Sequence, residues 1–430
     1  MALSEKILNR QSIVLVDILR EVCACVEKGY PADSTLASIY RRHREFGSRD
    51  RRLFSDTVFS YFRWKGWLDT IAARDLRAAT VFAHLLDTHE CHPTIRFLAA
   101  SLGIPPSSLR PLGPLPLASK QSFFHAQLTA WDTTMPPPSI TQLVPNWFYD
   151  VAENQQNIDR LIEAFQSAPP TWLRLRPSSS VKVVEILHES GIEPVTHPHV
   201  TDCVAVPRGA NLQGLAPRFR SGMEIQDLAS LAVGLVCAPT QGESWWDACA
   251  GSGGKTLHLA DLLGSTGKIL ATDVRPGALD ELHRRAENDA LTSIIRTRAW
   301  DGLKEPAPIG PFDGVLLDAP CSGMGTWHRN PDARWRISGM QIAHLAELQL
   351  TLLRACATRV RPGGKLIYAT CTLTHAENGG VIESFLKENP DFSLQPFLHP
   401  LTGTKANGSL YIHPWDGPCN GMFMARLTRG

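Results

Sequence analysis

Asp318-Ala319-Pro320-Cys321-Ser322-Gly323 and, fifty residues later, Ala369-Thr370-Cys371-Thr372 are the stretches on which the reading of this chain depends. Each sets a cysteine just after a run that reads as a strand, Phe312 to Leu317 (FDGVLL) before the first and Gly364 to Tyr368 (GKLIY) before the second. Both thiols are therefore expected at the carboxyl ends of neighbouring parallel strands, where open α/β sheets place their ligands. A lone cysteine is ordinarily a small buried hydrophobe. Cys321 departs from that rule, because Pro-Cys-Ser-Gly continues neither a strand nor a helix, and loops fixed to a rigid sheet are where chemistry tends to be.

Outward from these motifs, strand and helix patterns alternate. A helix from Leu228 leads to a strand at Ser244 to Asp247, a glycine loop at 251 to 254, a strand at Lys268 to Ala271, a helix at 276 to 289 and a strand at Ile294 to Thr297. A helix at 340 to 359 joins the two cysteine-bearing strands, a further helix covers 376 to 387, and Met422 to Leu427 reads as a last strand. Such alternation predicts a mostly parallel sheet wound on both faces.

The loop Asp247-Ala248-Cys249-Ala250-Gly251-Ser252-Gly253-Gly254-Lys255-Thr256 admits several readings. A phosphate-binding P-loop ending at Gly254-Lys255-Thr256 needs its first glycine where Cys249 stands, and the dinucleotide fingerprint begun at Gly251 and Gly253 needs its third where Thr256 stands. What remains is a turn that brings backbone close to a nucleoside, followed by Asp273 at the next strand end, where a carboxylate accepts ribose hydroxyls. Asp301 follows the strand after that. Loop, acid and acid on three strand ends suit S-adenosylmethionine; the bland alternative is that the glycines only make a turn.

Ahead of this region the pattern differs. Apolar positions at helical spacing from Ile7 to Val26, and again through about residue 103, predict an all-helical domain over 1–138, with Phe54, Phe59, Tyr61, Phe62, Trp64 and Trp67 as its core. Proline-dense residues 105–116 and Pro136-Pro137-Pro138 close it. A small α/β unit over 139–222 follows, in which Arg174 and Arg176 share one strand face, and the catalytic domain takes 223–430.

Length bounds the chain at roughly three domains. A content of 43% hydrophobic and 20% charged residues describes an ordinary globular protein, and no apolar run reaches a membrane span. The amino-terminal residues lack a signal-peptide core, which predicts a cytoplasmic protein. The 10 cysteines contain no C-x-x-C pair, so reduced thiols and no metal are expected. A formal charge of +1 excludes global attraction to nucleic acid, leaving local patches. Residues 41 to 52 (RRHREFGSRDRR) form one, with Arg41, Arg42 and Arg44 at its start.

Residues from about 145 to 430 resemble the RNA 5-methylcytosine methyltransferases of the Fmu/Sun (RsmB-like) family. The resemblance rests on DACAGSGGKT (247–256), DAPCSGMG (318–325), NPDARW (330–335), RPGGKLIYATCT (361–372) with Glu377-Asn378 following, and Gly421-Met422-Phe423. It implies a class I S-adenosylmethionine-dependent methyltransferase fold, Rossmann-like, preceded by a NusB-like helical RNA-binding domain. It also implies cofactor contacts from Cys249, Ala250, Gly251, Ser252, Gly253, Gly254 and Lys255 with Asp273, Asp301 and Asp318, a nucleophile at Cys371, and Cys321 assisting product release. The family usually carries Ala-Pro where Gly251-Ser252 stands here.

Carbon 5 of cytosine is a poor nucleophile, so its methylation requires a temporary sulfur adduct at carbon 6. Negative charge pushed into the ring then needs a partner at nitrogen 3, for which Asp318 is the candidate. With the family resemblance in hand, Arg41, Arg42, Arg44, Arg174, Arg176 and Arg329 become expected RNA contacts, and Arg329 and Trp335 are expected to border the base. The RNA read this way is small-subunit ribosomal RNA, with transfer RNA second, and the protein is expected to act as a monomer. Three alternatives stay open: a DNA cytosine methyltransferase, which would use Cys321 as nucleophile; a methyltransferase of proteins or small molecules; and a non-enzymatic RNA binder with a decayed cofactor loop.

Overall fold

A computed structural model describes residues 4–113, 115–152, 157–176, 179–219, 222–302 and 307–430. It divides into two compact units, one of residues 1–150, 154–167 and 327–339, the other of 151–153, 168–326 and 340–430. Residues 220–221, near the end of the small α/β unit read over 139–222, lie outside the described residues.

The first unit is helical, with helices at Glu5–Glu27, Ala32–Arg42, Ser48–Arg74, Leu76–Asp87, Pro93–Ser101 and Leu117–Trp131. Its core collects the aromatic side chains of the long third helix, and Phe54, Phe62 and Trp64 are all but inaccessible to solvent. Asp87 accepts from Arg63 Nε at 2.8 Å and from Trp64 Nε1 at 2.7 Å, so a buried guanidinium is neutralised where it enters the core. Residues 327–339, which the sequence reading assigned to the catalytic domain, cluster with this unit. Arg334 donates to the carbonyls of Leu143, Phe165 and Trp327, and Trp335 Nε1 donates to the Phe62 carbonyl at 2.8 Å.

The second unit contains two principal sheets. Strands β1 (Thr171–Leu175), β2 (Val195–Thr196), β3 (Cys203–Val206) and β4 (Met223–Ile225) form an antiparallel sheet in the order β2-β3-β1-β4. The larger sheet holds β5 (Ser244–Asp247), β6 (Lys268–Asp273), β7 (Ile295–Ala299), β8 (Phe312–Asp318) and β9 (Val360–Thr370), all mutually parallel in the order β9-β8-β5-β6-β7. After β10 (Phe392–Leu394), a small ribbon of β11 (Phe397–Leu398) with β12 (Lys405–Ala406) precedes β13 (Ser409–Ile412) and β14 (Met422–Arg429). Strand β14 pairs antiparallel with β9, β10 and β13, so the sheet is mixed on that side.

Period-2 alternation explains why helices cover both faces. In β8, Leu316 belongs to one apolar cluster and Val315 and Leu317 to the other; in β9, Ile367 and Ala369 oppose Leu366 and Tyr368; in β5, Trp245 opposes Trp246. The helices at Leu228–Cys237, Gly254–Leu263 and Pro276–Asn288 pack on the first face, and those at Gly339–Ala357 and Gly379–Glu388 on the second. The parallel register of β8 on β9 pairs Asp318 with Ala369, so both strands end level with each other.

The pairing of β8 with β5 on its other side depends on a close approach. A Cβ added to Gly314 in β8 would stand 2.3 Å from the Trp245 ring, which is fully buried and has nowhere to retreat. Gly314→Ala is expected to destabilise the second unit by about 1–3 kcal/mol through overpacking, read as a lower midpoint in thermal or urea unfolding.

Candidate active site

The site is built at the carboxyl ends of β5, β6, β8 and β9. Ala319 N donates to Ala369 O at 2.9 Å as the β8–β9 ladder finishes, and Gly325 N donates to Cys371 O at 3.0 Å one turn later. Gly325 also lies so close to Gly421 that an added Cβ would stand 2.0 Å from its carbonyl oxygen. The start of β14 thus presses on the Cys321 loop through backbone alone. Between these anchors the two half-buried thiols meet, Cys321 Sγ to Cys371 Sγ at 3.3 Å, with no bond between them.

The two sulfurs are not equivalent. The S–H···S contact from Cys321 holds the Cys371 thiol below its ordinary range, and the Lys255 ammonium adds to this against burial and the charge of Asp318. The same contact, joined by burial, pushes Cys321 well above the ordinary thiol value. Cys371 is therefore the sulfur that ionises more readily, and Cys321 the one whose ionisation is opposed. Lys255 Nζ donates to Asp318 Oδ2 at 2.6 Å, and this carboxylate keeps the lysine protonated although burial opposes it.

The glycine loop follows β5. Gly251 and Gly253 both have positive φ, +55° and +92°, and at Gly253 a Cβ would also stand 2.1 Å from Leu282. Gly251 N donates to Asp273 Oδ2 at 2.8 Å, which fastens the loop to the end of β6. Burial raises the Asp273 proton affinity, yet the hydrogen bonds from Arg275 and Gly251 prevail and keep it ionised. Open space where a Cβ of Gly254 would stand, a buried carboxylate at Asp273 beside the loop and a half-buried one at Asp318 fit a nucleoside bearing a cationic centre. Cys249 is raised by burial and makes no reactive thiolate. Asp301 is half-buried just beyond β7.

Two expected RNA contacts, Arg174 and Arg176, lie elsewhere than at a free surface. Arg174 is 2% exposed, donates to Gln226 Oε1 at 2.8 Å and is paired with Asp261; Arg176 is paired with Asp261 and Asp289. Alternation placed them on one strand face, but that face meets Asp261 in the helix Gly254–Leu263 and Asp289 just after the helix Pro276–Asn288, whose carboxylates already balance them. Arg329 belongs to segment 327–339, in the helical unit. Trp335, expected beside the base, is hydrogen-bonded to Phe62 within that unit, under the ammonium of Lys65 at 5.3 Å from its ring centroid. Arg41, Arg42 and Arg44 are exposed, with Arg42 paired to Glu21. Glu377, to which the sequence reading gave no role, is fully buried between the two cysteine loops.

The asymmetry of the thiols gives a pH test. A lowered value means thiolate persists to lower pH, so alkylation of Cys371, followed by peptide mass spectrometry, should have its midpoint below that of an ordinary cysteine. Cys321→Ala removes the donor and should move the midpoint upward, slowing alkylation at pH 7 by roughly 3- to 10-fold.

Residues 234–428 match the family model described as 16S rRNA methyltransferase RsmB/F. Among curated relatives, a probable ribosomal RNA small subunit methyltransferase B of Synechocystis sp. is 35% identical over 305 residues, 66% of each chain. Ribosomal RNA small subunit methyltransferase B of Salmonella typhi is 30% identical over 298 residues, 67% of this chain and 66% of its own. The chain thus spans 66% of the length of these relatives. The solved structure of PH0851 aligns over 100% of both chains with a TM-score of 0.76 at 22% identity. NSun6 from Pyrococcus horikoshii, in its structure with SFG, aligns at 0.58 and 17% identity over 66% of this chain and 96% of its own. A methyltransferase homolog from the same organism aligns at 0.54 and 24% identity over 66% of this chain and 93% of its own. These likenesses show the class I methyltransferase fold, and with the family match they place the chain in the RsmB/F family of methyltransferases.

Proposed function

We propose that this chain is an RNA (cytosine-5)-methyltransferase of small-subunit ribosomal RNA, working through a covalent bond from Cys371 to carbon 6 of the target cytosine. The observation that carries the reading is the pair of thiols 3.3 Å apart at adjacent strand ends; their surroundings favour ionisation of Cys371 and oppose that of Cys321. The names of the curated relatives support ribosomal RNA as substrate. The fold, the glycine loop and the two carboxylates support S-adenosylmethionine as cofactor.

Residues Cys249 to Lys255, Asp273, Asp301 and Asp318 would hold the cofactor, which supplies a methyl group as an electrophile. The chain's own residues do the rest. Cys371 thiolate adds to carbon 6, the ring electrons shift toward nitrogen 3, and the Lys255–Asp318 pair answers the negative charge that gathers there. The pair supplies a cation and a hydrogen-bonding proton at one place, a role assigned from sequence to Asp318 alone. Once carbon 5 carries the methyl group, its proton must go before the sulfur can leave. Cys321, whose own proton passes to solvent once the Cys371 thiolate is consumed, takes it; the carbon–sulfur bond breaks and Cys371 departs as thiolate. A target buried in a stack cannot reach these sulfurs, so the cytosine is single-stranded or flipped. Exposed Arg41, Arg42 and Arg44 are the proposed phosphate contacts.

The asymmetry also argues against a DNA-type mechanism with Cys321 as nucleophile, since that thiol is the one whose ionisation is suppressed. A decayed cofactor loop is disfavoured by the two positive-φ glycines and their tie to Asp273, which persist despite Gly251-Ser252. The division of labour predicts opposite mutants. With ribosomal RNA and S-adenosylmethionine, Cys371→Ala should lose methylation and form no adduct, whereas Cys321→Ala should leave a covalent protein–RNA species on a denaturing gel. Normal turnover by Cys321→Ala would contradict the assignment.

A further inference from the structure

The 3.3 Å between the two sulfurs requires an explanation beyond the strand register. Each cysteine sits past the last ladder hydrogen bond, in a loop that register alone does not hold. The carboxylate of Glu377 touches both loops. Its Oε1 accepts from Ser322 N at 2.8 Å, its Oε2 from Ser322 Oγ at 2.5 Å and, more weakly, from Thr372 Oγ1 at 3.4 Å. Thr374 Oγ1 donates to Oε2 at 2.8 Å and Gln349 Nε2 to Oε1 at 3.1 Å, so both oxygens are fully engaged. Ser322 follows Cys321 and Thr372 follows Cys371, and their hydroxyls also meet directly at 2.6 Å. Glu377, Ser322 and Thr372 are all inaccessible or nearly so, with exposures of 0%, 6% and 0%.

A carboxylate enclosed this way is strongly desolvated, and what offsets that cost is a set of donors drawn from both sides of the thiol pair. Solubility and packing give no reason for an acid here.

We propose that Glu377 is a positioning residue that sets the spacing of the two sulfurs, and that the step depending on it is release of the methylated base. This rests on the cytosine-5 reading above. Attack on carbon 6 needs Cys371 and the Lys255–Asp318 pair, none of which Glu377 touches. Removal of the carbon 5 proton needs Cys321 at a fixed offset from the already bonded Cys371, and that offset is what Glu377 fixes. Loosening it slows elimination more than addition, because a displacement of about 1 Å costs on the order of 100-fold in a reacting geometry.

The variants are Glu377→Ala, Glu377→Gln and Ser322→Ala, assayed with ribosomal RNA and S-adenosylmethionine by denaturing gel, with binding of S-adenosylhomocysteine measured by calorimetry. Glu377→Ala should lower turnover by about 10- to 100-fold while the covalent protein–RNA species accumulates, with ligand affinity within about twofold of the parent. Glu377→Gln keeps an acceptor for Ser322 N, and the hydroxyls facing its amide can reverse, so it should restore most of the turnover. Ser322→Ala, a small change inside a packed loop, should show the same accumulation to a lesser degree and carries the test should Glu377→Ala fail to fold. Loss of turnover with no accumulated adduct in these variants, or a parallel loss of ligand affinity, overturns the inference. Absence of any adduct in Cys321→Ala as well would instead overturn the cytosine-5 reading.

Discussion

The parallel pairing of β8 with β9 is the constraint from which the site follows. Two strands that end in register deliver two loops to one place, and each loop opens with a cysteine. Sulfur is a weak hydrogen-bond partner, so the S–H···S contact does not itself hold the loops; the backbone ties at Ala319 and Gly325, and the buried polar cluster behind them, do that. What the contact does is divide one proton unequally. In the low dielectric of a half-buried cleft, a thiolate needs a donor and a cation close by, and Cys371 has both in Cys321 and Lys255.

Charge in the site is arranged in matched pairs. Lys255 with Asp318 and Arg275 with Asp273 leave little net field, yet they set fixed dipoles where charge changes hands. Burying an ammonium against a carboxylate contributes little to stability, because desolvation offsets most of the attraction. Its value here is pre-organisation: the lysine is already charged and already placed when negative charge develops nearby.

Much of this was legible in the sequence, for identifiable reasons. Strands β5, β6, β8 and β9 show as short apolar runs, and β5, β6 and β8 close on an aspartate, with Gly or Pro a few residues beyond the ends of β5 and β8. The paired cysteines were readable because Pro320 forces a loop and because the second thiol follows a strand of the same type. The long-range pairings were not readable. Arg174 and Arg176 alternate correctly, but nothing local reveals that Asp261 and Asp289 lie beneath them. Residues 327–339 sit between two catalytic elements in sequence, and they pack in the helical unit through distant partners, among them the carbonyls of Leu143, Phe165 and Phe62, the Ala32 amide and the Arg63 guanidinium. Glu377 was visible as a motif residue without a function, since its partners are separated from it by up to fifty-five positions.

The central claim is that the sulfur of Cys371, and not its neighbour, bonds to the pyrimidine while a methyl group is transferred. RNA carrying 5-fluorocytidine tests it most directly, because fluorine at carbon 5 cannot leave as a proton would and the adduct is trapped after methyl transfer. Digestion and peptide mass spectrometry of the trapped complex should find a methylated fluorocytidine on the peptide containing Cys371, and only when S-adenosylmethionine is supplied. A nucleotide attached to the Cys321 peptide, or none on either, would contradict the account.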